Sequence, residues 1–234
     1  FLSNHDNARL VNRFGNPSPE FRTPSTQMLN TFLLSMRGTP YTYYGDELGM
    51  TNIDMPTIEE YVDIDAIGKY KAALKSGMDM KEFMKILNYS SRENGRTPMQ
   101  WDATPNAGFT TGKPWARVNE NYKEINVLSQ NNDPNSILNH FKKMTKVRKD
   151  NPVLVYGKYD IIQKEHPEIY AFTRTLDNER VLVLLNFSTK SNDITLTNIG
   201  KLGSSLINNY PAVQINGDKV SMLPYQAVIL KIEK

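Results

Sequence analysis

His5 and Asp6 stand side by side in Asn4-His5-Asp6-Asn7, a run of hydrogen-bonding side chains that follows the apolar lead-in Phe1-Leu2-Ser3. A carboxylate here can hold hydroxyl groups or stand beside developing positive charge, and an imidazole can change its charge near neutral pH. The lead-in reads as the last residues of a buried strand, which puts the pair at a strand's carboxyl end, where barrel-type α/β enzymes place their reactive groups. Arg92 and Arg96, in Ser91-Arg92-Glu93-Asn94-Gly95-Arg96, offer guanidinium forks suited to paired oxygen acceptors. Taken alone, His5-Asp6 is better read as a strand-end capping pair, and Arg92 could equally tie its loop to a carboxylate. Asp46 and Glu47, after Gly45, are read as loop anchors. His140 and His166 are isolated, the first expected on the solvent face of its helix. Three scattered histidines make no metal site, and no cofactor is implied.

The elements that must position these residues follow in order. Gly15 to Pro24 reads as a loop, and a helix is expected from about Ser25 to Arg37, with Met28, Leu29, Phe32, Leu33 and Met36 at helical spacing and Gly38 beyond its end. Tyr41-Thr42-Tyr43-Tyr44 is β-prone, so strand end, helix and strand succeed one another as half of a βαβ repeat. Residues 50 to about 130 form a long excursion. Thr57 to Ser76 and Met80 to Ser90 have helical composition, and Ser91 to Val127 is loop-like yet carries Trp101, Phe109 and Trp115. A loop this long with such aromatics is more often functional than disordered, although each ring is more often core than ligand platform. A helix is expected over Pro134 to Lys149, capped by Asp133 with Pro134 in its first turn. From Val153 the period shortens to that of strands, in runs such as Ile169 to Thr173, Val181 to Leu185, Ile194 to Leu196 and Ala227 to Leu230. Seven or eight such strands make a small antiparallel sandwich or barrel.

Composition narrows the classes. The 234 residues are 39% apolar and 23% charged, with a formal net charge of +3. Residues 1–150 carry 19 basic and 17 acidic side chains and the remainder 9 and 8, so neither part offers a basic face for nucleic acid. There is no cysteine, hence no disulfide framework and no thiolate site, which fits the cytoplasm without ruling out a bacterial periplasm. No apolar run approaches the roughly 18 residues of a membrane span.

Three blocks now stand in order: Asn4-His5-Asp6; Gly38-Thr39-Pro40 with Tyr44-Gly45-Asp46-Glu47-Leu48-Gly49; and Ser91 to Asp102, followed by Gly108-Phe109-Thr110 and Trp115. Together they resemble the α-amylase superfamily of glycoside hydrolases, the first block matching the segment after the seventh barrel strand. The third is similar to the oligo-1,6-glucosidase branch, which includes dextran glucosidases, trehalose-6-phosphate hydrolases, trehalose synthases and sucrose isomerases. A lone His-Asp pair is a weak signal, whereas three ordered blocks are a strong one, and the reading of His5-Asp6 turns from capping pair to site.

The resemblance implies a fold of mixed class: the carboxyl-terminal part of a (β/α)8 TIM barrel over residues 1–150, with a long helical and loop insertion after the last strand, then a small all-β antiparallel sandwich over 151–234. It implies Asp6 as the catalytic carboxylate that binds the hydroxyls of the cleaved sugar, His5 as a neighbouring substrate-binding group, and Arg92 as the arginine that binds the terminal sugar, with Arg96 a second candidate. Trp101, Phe109 and Trp115 could help wall the pocket. The nucleophile and general acid are expected upstream, so the chain is expected to be part of a larger retaining α-glucosidase and inactive alone. Its substrate would be short oligosaccharides with terminal α-linked glucose. Rival expectations are a glucosyl-transferring or isomerising relative, a trehalose-6-phosphate hydrolase, and a non-catalytic interaction subunit of the same fold. Self-association or association with a missing amino-terminal part is expected to cover exposed strand edges.

Overall fold

A computed structural model describes residues 2–233. In chain order its helices are α1 (Leu10–Phe14), α2 (Arg22–Ser35), α3 (Ile64–Lys75), α4 (Met80–Ser90), α5 (Val127–Asn132), α6 (Ile137–Asp150) and α7 (Pro152–Tyr156). The strands are β1 (Lys158–Ile162), β2 (Ile169–Leu176), β3 (Glu179–Asn186), β4 (Asn192–Thr195), β5 (Lys201–Asn208), β6 (Gln214–Asn216), β7 (Lys219–Met222) and β8 (Ala227–Glu233). These assemble into two compact units, one formed by the residues up to Pro17 with Thr42–Asp133 and the other by Ser18–Tyr41 with the residues from Pro134 onward.

The first unit is built of short helices and 3-10 turns. Ile53, Met55, Tyr61, Ala66 and Leu87 form a small core against which Ile58, Phe83 and Met84 pack. Helices α3 and α4 start where a carboxylate takes up free backbone donors: the Asp63 side chain accepts the N–H of Asp65 to open α3, and Asp79 accepts those of Lys81 and Glu82 to open α4. The single helix expected over Thr57 to Ser76 is therefore two elements, a 3-10 turn at Ile58–Glu60 and then α3. The N–H groups of Val62 and Asp63, which a continuous helix would direct to residues 58 and 59, donate instead to Glu93 Oε1 at 2.6 and 2.7 Å. The β-prone run Tyr41–Tyr44 forms no strand. No ladder lies beside it among the described residues, and the Tyr43 carbonyl accepts the N–H of Asp46 at 3.1 Å in the turn that leads into the 3-10 segment Asp46–Leu48. The strand end expected at the amino terminus begins on Phe1, which lies outside the described residues, and Leu2 and Ser3 are in no strand.

In the second unit a five-stranded antiparallel sheet runs in the order β1-β2-β3-β8-β5, and a three-stranded sheet in the order β4-β7-β6. The register pairs Ala171 with Leu184 and Leu184 with Val228, and these side chains meet Ile194, Val220 and Met222 of the smaller sheet in one core. The opposite face of the larger sheet carries Phe172, Val183 and Ile229. On that face Phe32 of α2 sets its ring edge-on to Tyr170. With both faces covered, Val181 to Leu185 is buried without alternation, which is why it reads as a continuous apolar run.

Three expectations about helices are corrected here. Asp133 and Pro134 do not open α6: Val127–Asn132 is a separate helix, and α6 starts at Ile137 with the Ser136 hydroxyl accepting the N–H of Asn139 at 3.1 Å. His140 is not on a solvent face but is 5% exposed, with Nε2 2.9 Å from Thr31 Oγ1. The end of α2 comes at Ser35 rather than Arg37, where two buried guanidiniums take the carbonyls at and just beyond its end: Arg148 binds those of Leu34, Met36 and Gly38, and Arg174 that of Ser35. Among the described residues no helix is long and apolar enough to cross a membrane.

Candidate active site

Arg9 of the first unit holds the three sequence blocks together. It is almost fully buried, its Nη1 donates to the Tyr44 carbonyl at 2.7 Å, and its Nη2 donates to Thr97 Oγ1 at 2.9 Å. Its guanidinium lies 4.9 Å from the centre of the Tyr44 ring. Two glycines permit the approach. Gly45 has φ +91°, and a Cβ there would sit 2.7 Å from Arg9 Nη1; a Cβ on Gly95 would sit 2.6 Å from the Asn7 carbonyl oxygen. Ser3, next to the first block, donates its hydroxyl to Asp46 of the second. Burial pushes the Asp46 carboxyl up to about 6, and it raises Glu47 as well, whose side chain accepts the N–H of Gly45 at 2.8 Å.

Within this frame the Asn4 side chain accepts the backbone N–H of Asp6 at 2.9 Å and so closes a tight Asx turn. The turn turns His5 and Asp6 outward. Their side chains are 68% and 49% exposed, and His5 Nε2 lies 3.2 Å from Asp6 Oδ2. Arg92 and Arg96, on one 3-10 segment, converge on the other carboxylate oxygen: Arg92 Nη1 lies 3.3 Å and Arg96 Nη2 2.8 Å from Asp6 Oδ1. Arg96 Nε also donates to the His5 carbonyl at 2.9 Å. The structure thus brings His5, Asp6, Arg92 and Arg96 into one cluster.

A second carboxylate completes the cluster. The Asp63 side chain, 3% exposed, accepts Arg92 Nε and Nη2, the latter at 2.9 Å, and Arg96 Nη1 at 3.1 Å. The hydrogen bonds from Arg92 come first among the causes that hold the Asp63 carboxyl down at about 2, and the same pairing raises the Arg92 guanidinium. Sequence reasoning missed Asp63 as a site residue. An acid directly before the helical run Ile64 to Lys75 announces a helix cap, but nothing in the spacing links it to arginines 29 and 33 residues later.

Beside the cluster opens a cleft of about 270 Å³ lined by Asp63, Arg92, Arg96, Trp115 and Arg117, among others. Arg117 pairs with Glu60 at its rim. Trp101, Phe109 and Trp115 are exposed rather than core, and of the three Trp115 lines this cleft. Chemically the arrangement is a half-exposed carboxylate with one oxygen toward an imidazole and one toward two guanidiniums, a set that suits a polyhydroxylated ligand. Among the described residues no three His, Asp or Glu side chains are grouped to hold a metal ion.

Residues 1–157 match the family model of the α-amylase catalytic domain, and residues 169–229 that of the α-amylase SusG C-terminal domain. An oligo-1,6-glucosidase of Parageobacillus thermoglucosidasius is 45% identical over 99% of this chain and 42% of its own length. A trehalose-6-phosphate hydrolase of Bacillus subtilis is 44% identical over 80% of this chain and 33% of its own. Among solved structures, the trehalulose synthase MutB of Pseudomonas mesoacidophila superimposes with a TM-score of 0.95 at 38% identity, matching 100% of this chain and 42% of that one. The chain therefore spans about two fifths of the length of the relatives it matches. With the family model covering well over half of its residues, and with an antiparallel domain following the catalytic-domain portion, the chain belongs to the α-amylase family of glycoside hydrolases.

Proposed function

We propose that this chain is part of a retaining α-glucosidase of the oligo-1,6-glucosidase type, which releases terminal α-linked glucose from short oligosaccharides. On this reading residues 1–150 belong to the catalytic barrel and 151–234 form its carboxyl-terminal β-domain. The observation that carries it is the convergence of Arg92 and Arg96 on the half-exposed Asp6, beside His5, in a chain 45% identical to an oligo-1,6-glucosidase.

Retaining cleavage needs a carboxylate nucleophile and a carboxylic acid about 5–5.5 Å apart, with a transition state that resembles an oxocarbenium ion. The resemblance assigns both groups to the rest of the catalytic domain, so this chain supplies neither. Asp6 would hydrogen-bond the hydroxyls of the glucose being cleaved and stand as a fixed anion beside the developing positive charge. In a pocket that excludes water such a group lowers the barrier by several kcal/mol, on the order of 10³-fold in rate. His5 would share the same sugar, and Arg92 would bind its distal hydroxyls through its fork. Trp115 would wall the cleft. The full protein would act in the cytoplasm, consistent with a chain that has no cysteine, and would supply the surfaces that cover this part of the barrel.

A second reading, transfer of the glucosyl group to a sugar hydroxyl instead of water, is favoured by the close superposition on trehalulose and isomaltulose synthases, with TM-scores of 0.95 and 0.93. Incubation of the full-length protein with isomaltose, and separately with sucrose, decides. Release of glucose from isomaltose, falling on the order of 10³-fold in Asp6→Asn, supports the hydrolase. Conversion of sucrose to an isomeric disaccharide selects the transferase, and no turnover of either sugar, or activity indifferent to Asp6→Asn, would sink the proposal.

A further inference from the structure

Asp6 and Asp63 compete for the same two guanidiniums on unequal terms. Asp63 is buried and receives three bonds, from Arg92 Nε, Arg92 Nη2 and Arg96 Nη1, whereas Asp6 is half exposed and receives one from each arginine through a single oxygen. The grip on Asp63 is geometrically fixed. Its backbone N–H and that of Val62 are held by Glu93 Oε1, and Glu93 is itself buried on the same 3-10 segment as the two arginines. Glu93, Asp63, Arg92 and Arg96 thus form a closed loop of interactions in which each arginine keeps only one nitrogen for Asp6.

We propose that Asp63 is the positioning residue of this site: it holds Arg92 and Arg96 by their other nitrogens so that Asp6 Oδ2, which faces only the His5 imidazole, stays clear of the guanidiniums for substrate. This rests on the reading of Asp6 as the sugar-binding carboxylate. Two guanidiniums beside a cationic transition state would oppose it unless two carboxylates accompany them, and Asp63 is the second. Without its charge, the arginines keep Asp6 as the carboxylate to which both hydrogen-bond. They close on Asp6 as bidentate partners, occupy the oxygens that the sugar needs and turn away from the sugar's distal hydroxyls.

Asp63 also caps α3 through Oδ1, so the test uses replacements that keep a capping side chain, Asp63→Asn and Asp63→Ser. In the full-length protein, crystal structures of both variants are to be compared with the parent, together with kcat, KM and the double variant with Asp6→Asn. The expected result is a movement of both guanidiniums onto Asp6 and a fall in kcat of about 10²-fold, the scale of a misplacement of about 1 Å. KM should change less than kcat. Adding Asp6→Asn should cost far less in the Asp63→Asn background than alone, because Asp6 is already engaged, a coupling that a merely structural role would not produce. Guanidiniums that stay in place, an unchanged kcat, or fully additive losses each overturn the proposal. If the parent turns over no α-glucoside, the reading of the activity has failed instead, and the crystal structures still decide whether Asp63 keeps the arginines off Asp6.

Discussion

Arg9 and Thr97, 88 residues apart, are joined by a buried hydrogen bond of 2.9 Å from Nη2 to the hydroxyl, while Nη1 of the same guanidinium binds the Tyr44 carbonyl at 2.7 Å. One side chain therefore sets the spacing between the loop of His5 and Asp6, the turn at Gly45, and the segment of Arg92 and Arg96. Replacement by Lys keeps the charge but loses the planar fork, leaving the Thr97 and Tyr44 acceptors without two donors at once. Arg9→Lys should destabilise the chain by about 2–4 kcal/mol, the cost of stranded buried polar groups. Urea unfolding followed by tryptophan fluorescence checks this, and a midpoint equal to that of the parent would show that Arg9 is not the tie.

Gly95 lies where the arginine segment passes the backbone of the His5-Asp6 loop. An alanine Cβ would come 2.6 Å from the Asn7 carbonyl oxygen, a contact with backbone that cannot be relieved by a side-chain rotation. Gly95→Ala should therefore push the two segments apart and cost about 1–3 kcal/mol. It should also lower turnover of the full-length protein by about 10²-fold through displaced guanidiniums. A crystal structure of the variant with unchanged distances from Arg92 and Arg96 to Asp6 would refute this.

Asp46 gives the first unit a pH dependence of unusual sign. Burial raises its carboxyl from 3.8 to about 6, so the folded chain binds this proton more tightly than the unfolded one. The stability that the protonated acid contributes is complete below pH 3.8 and is lost as pH rises through about 6. Asp46→Asn, which keeps an acceptor for Ser3, should match the parent near pH 4 and exceed it near pH 8 by on the order of 2–3 kcal/mol. Thermal melts at the two pH values measure the difference, and a variant no more stable at pH 8 than at pH 4, relative to the parent, would contradict it.

His140 acts in the opposite direction in the second unit. Burial lowers its imidazole from 6.5 to about 4, so the folded form keeps it neutral while the unfolded chain takes up a proton. Its contribution is present above pH 6.5 and is lost as pH falls toward 4. His140→Gln, which retains a partner for Thr31, should flatten the loss of stability between pH 6.5 and 4 by on the order of 2–3 kcal/mol, read from urea midpoints across that range. An undiminished slope in the variant would assign the acid sensitivity to other groups.

The sequence by itself determined the local elements and the family. Helix α4 begins and ends where its pattern placed it, because Asp79 and the apolar spacing of Phe83, Met84 and Leu87 are local signals, and the strands from Ile169 onward follow from runs of β-branched residues between turn formers. Asn4-His5-Asp6 and the Arg92 segment were recognisable as candidates because their residue types carry chemistry in sequence order. Tertiary structure alone decided which acid the arginines share. Asp63 looks like a helix cap in the sequence, and only the fold of the excursion brings it to Arg92 and Arg96. The break between Ile58–Glu60 and α3 likewise depends on Glu93, about 30 residues away, taking two N–H groups from the helix. His140 went from an expected solvent face to the interior for the same reason: helical spacing fixes which residues share a face, but what covers that face is set by α2. The physical cause is common to all three. Periodicity and capping act within one or two turns of chain, whereas charge pairing, burial and the satisfaction of buried donors are settled by whichever distant segment arrives.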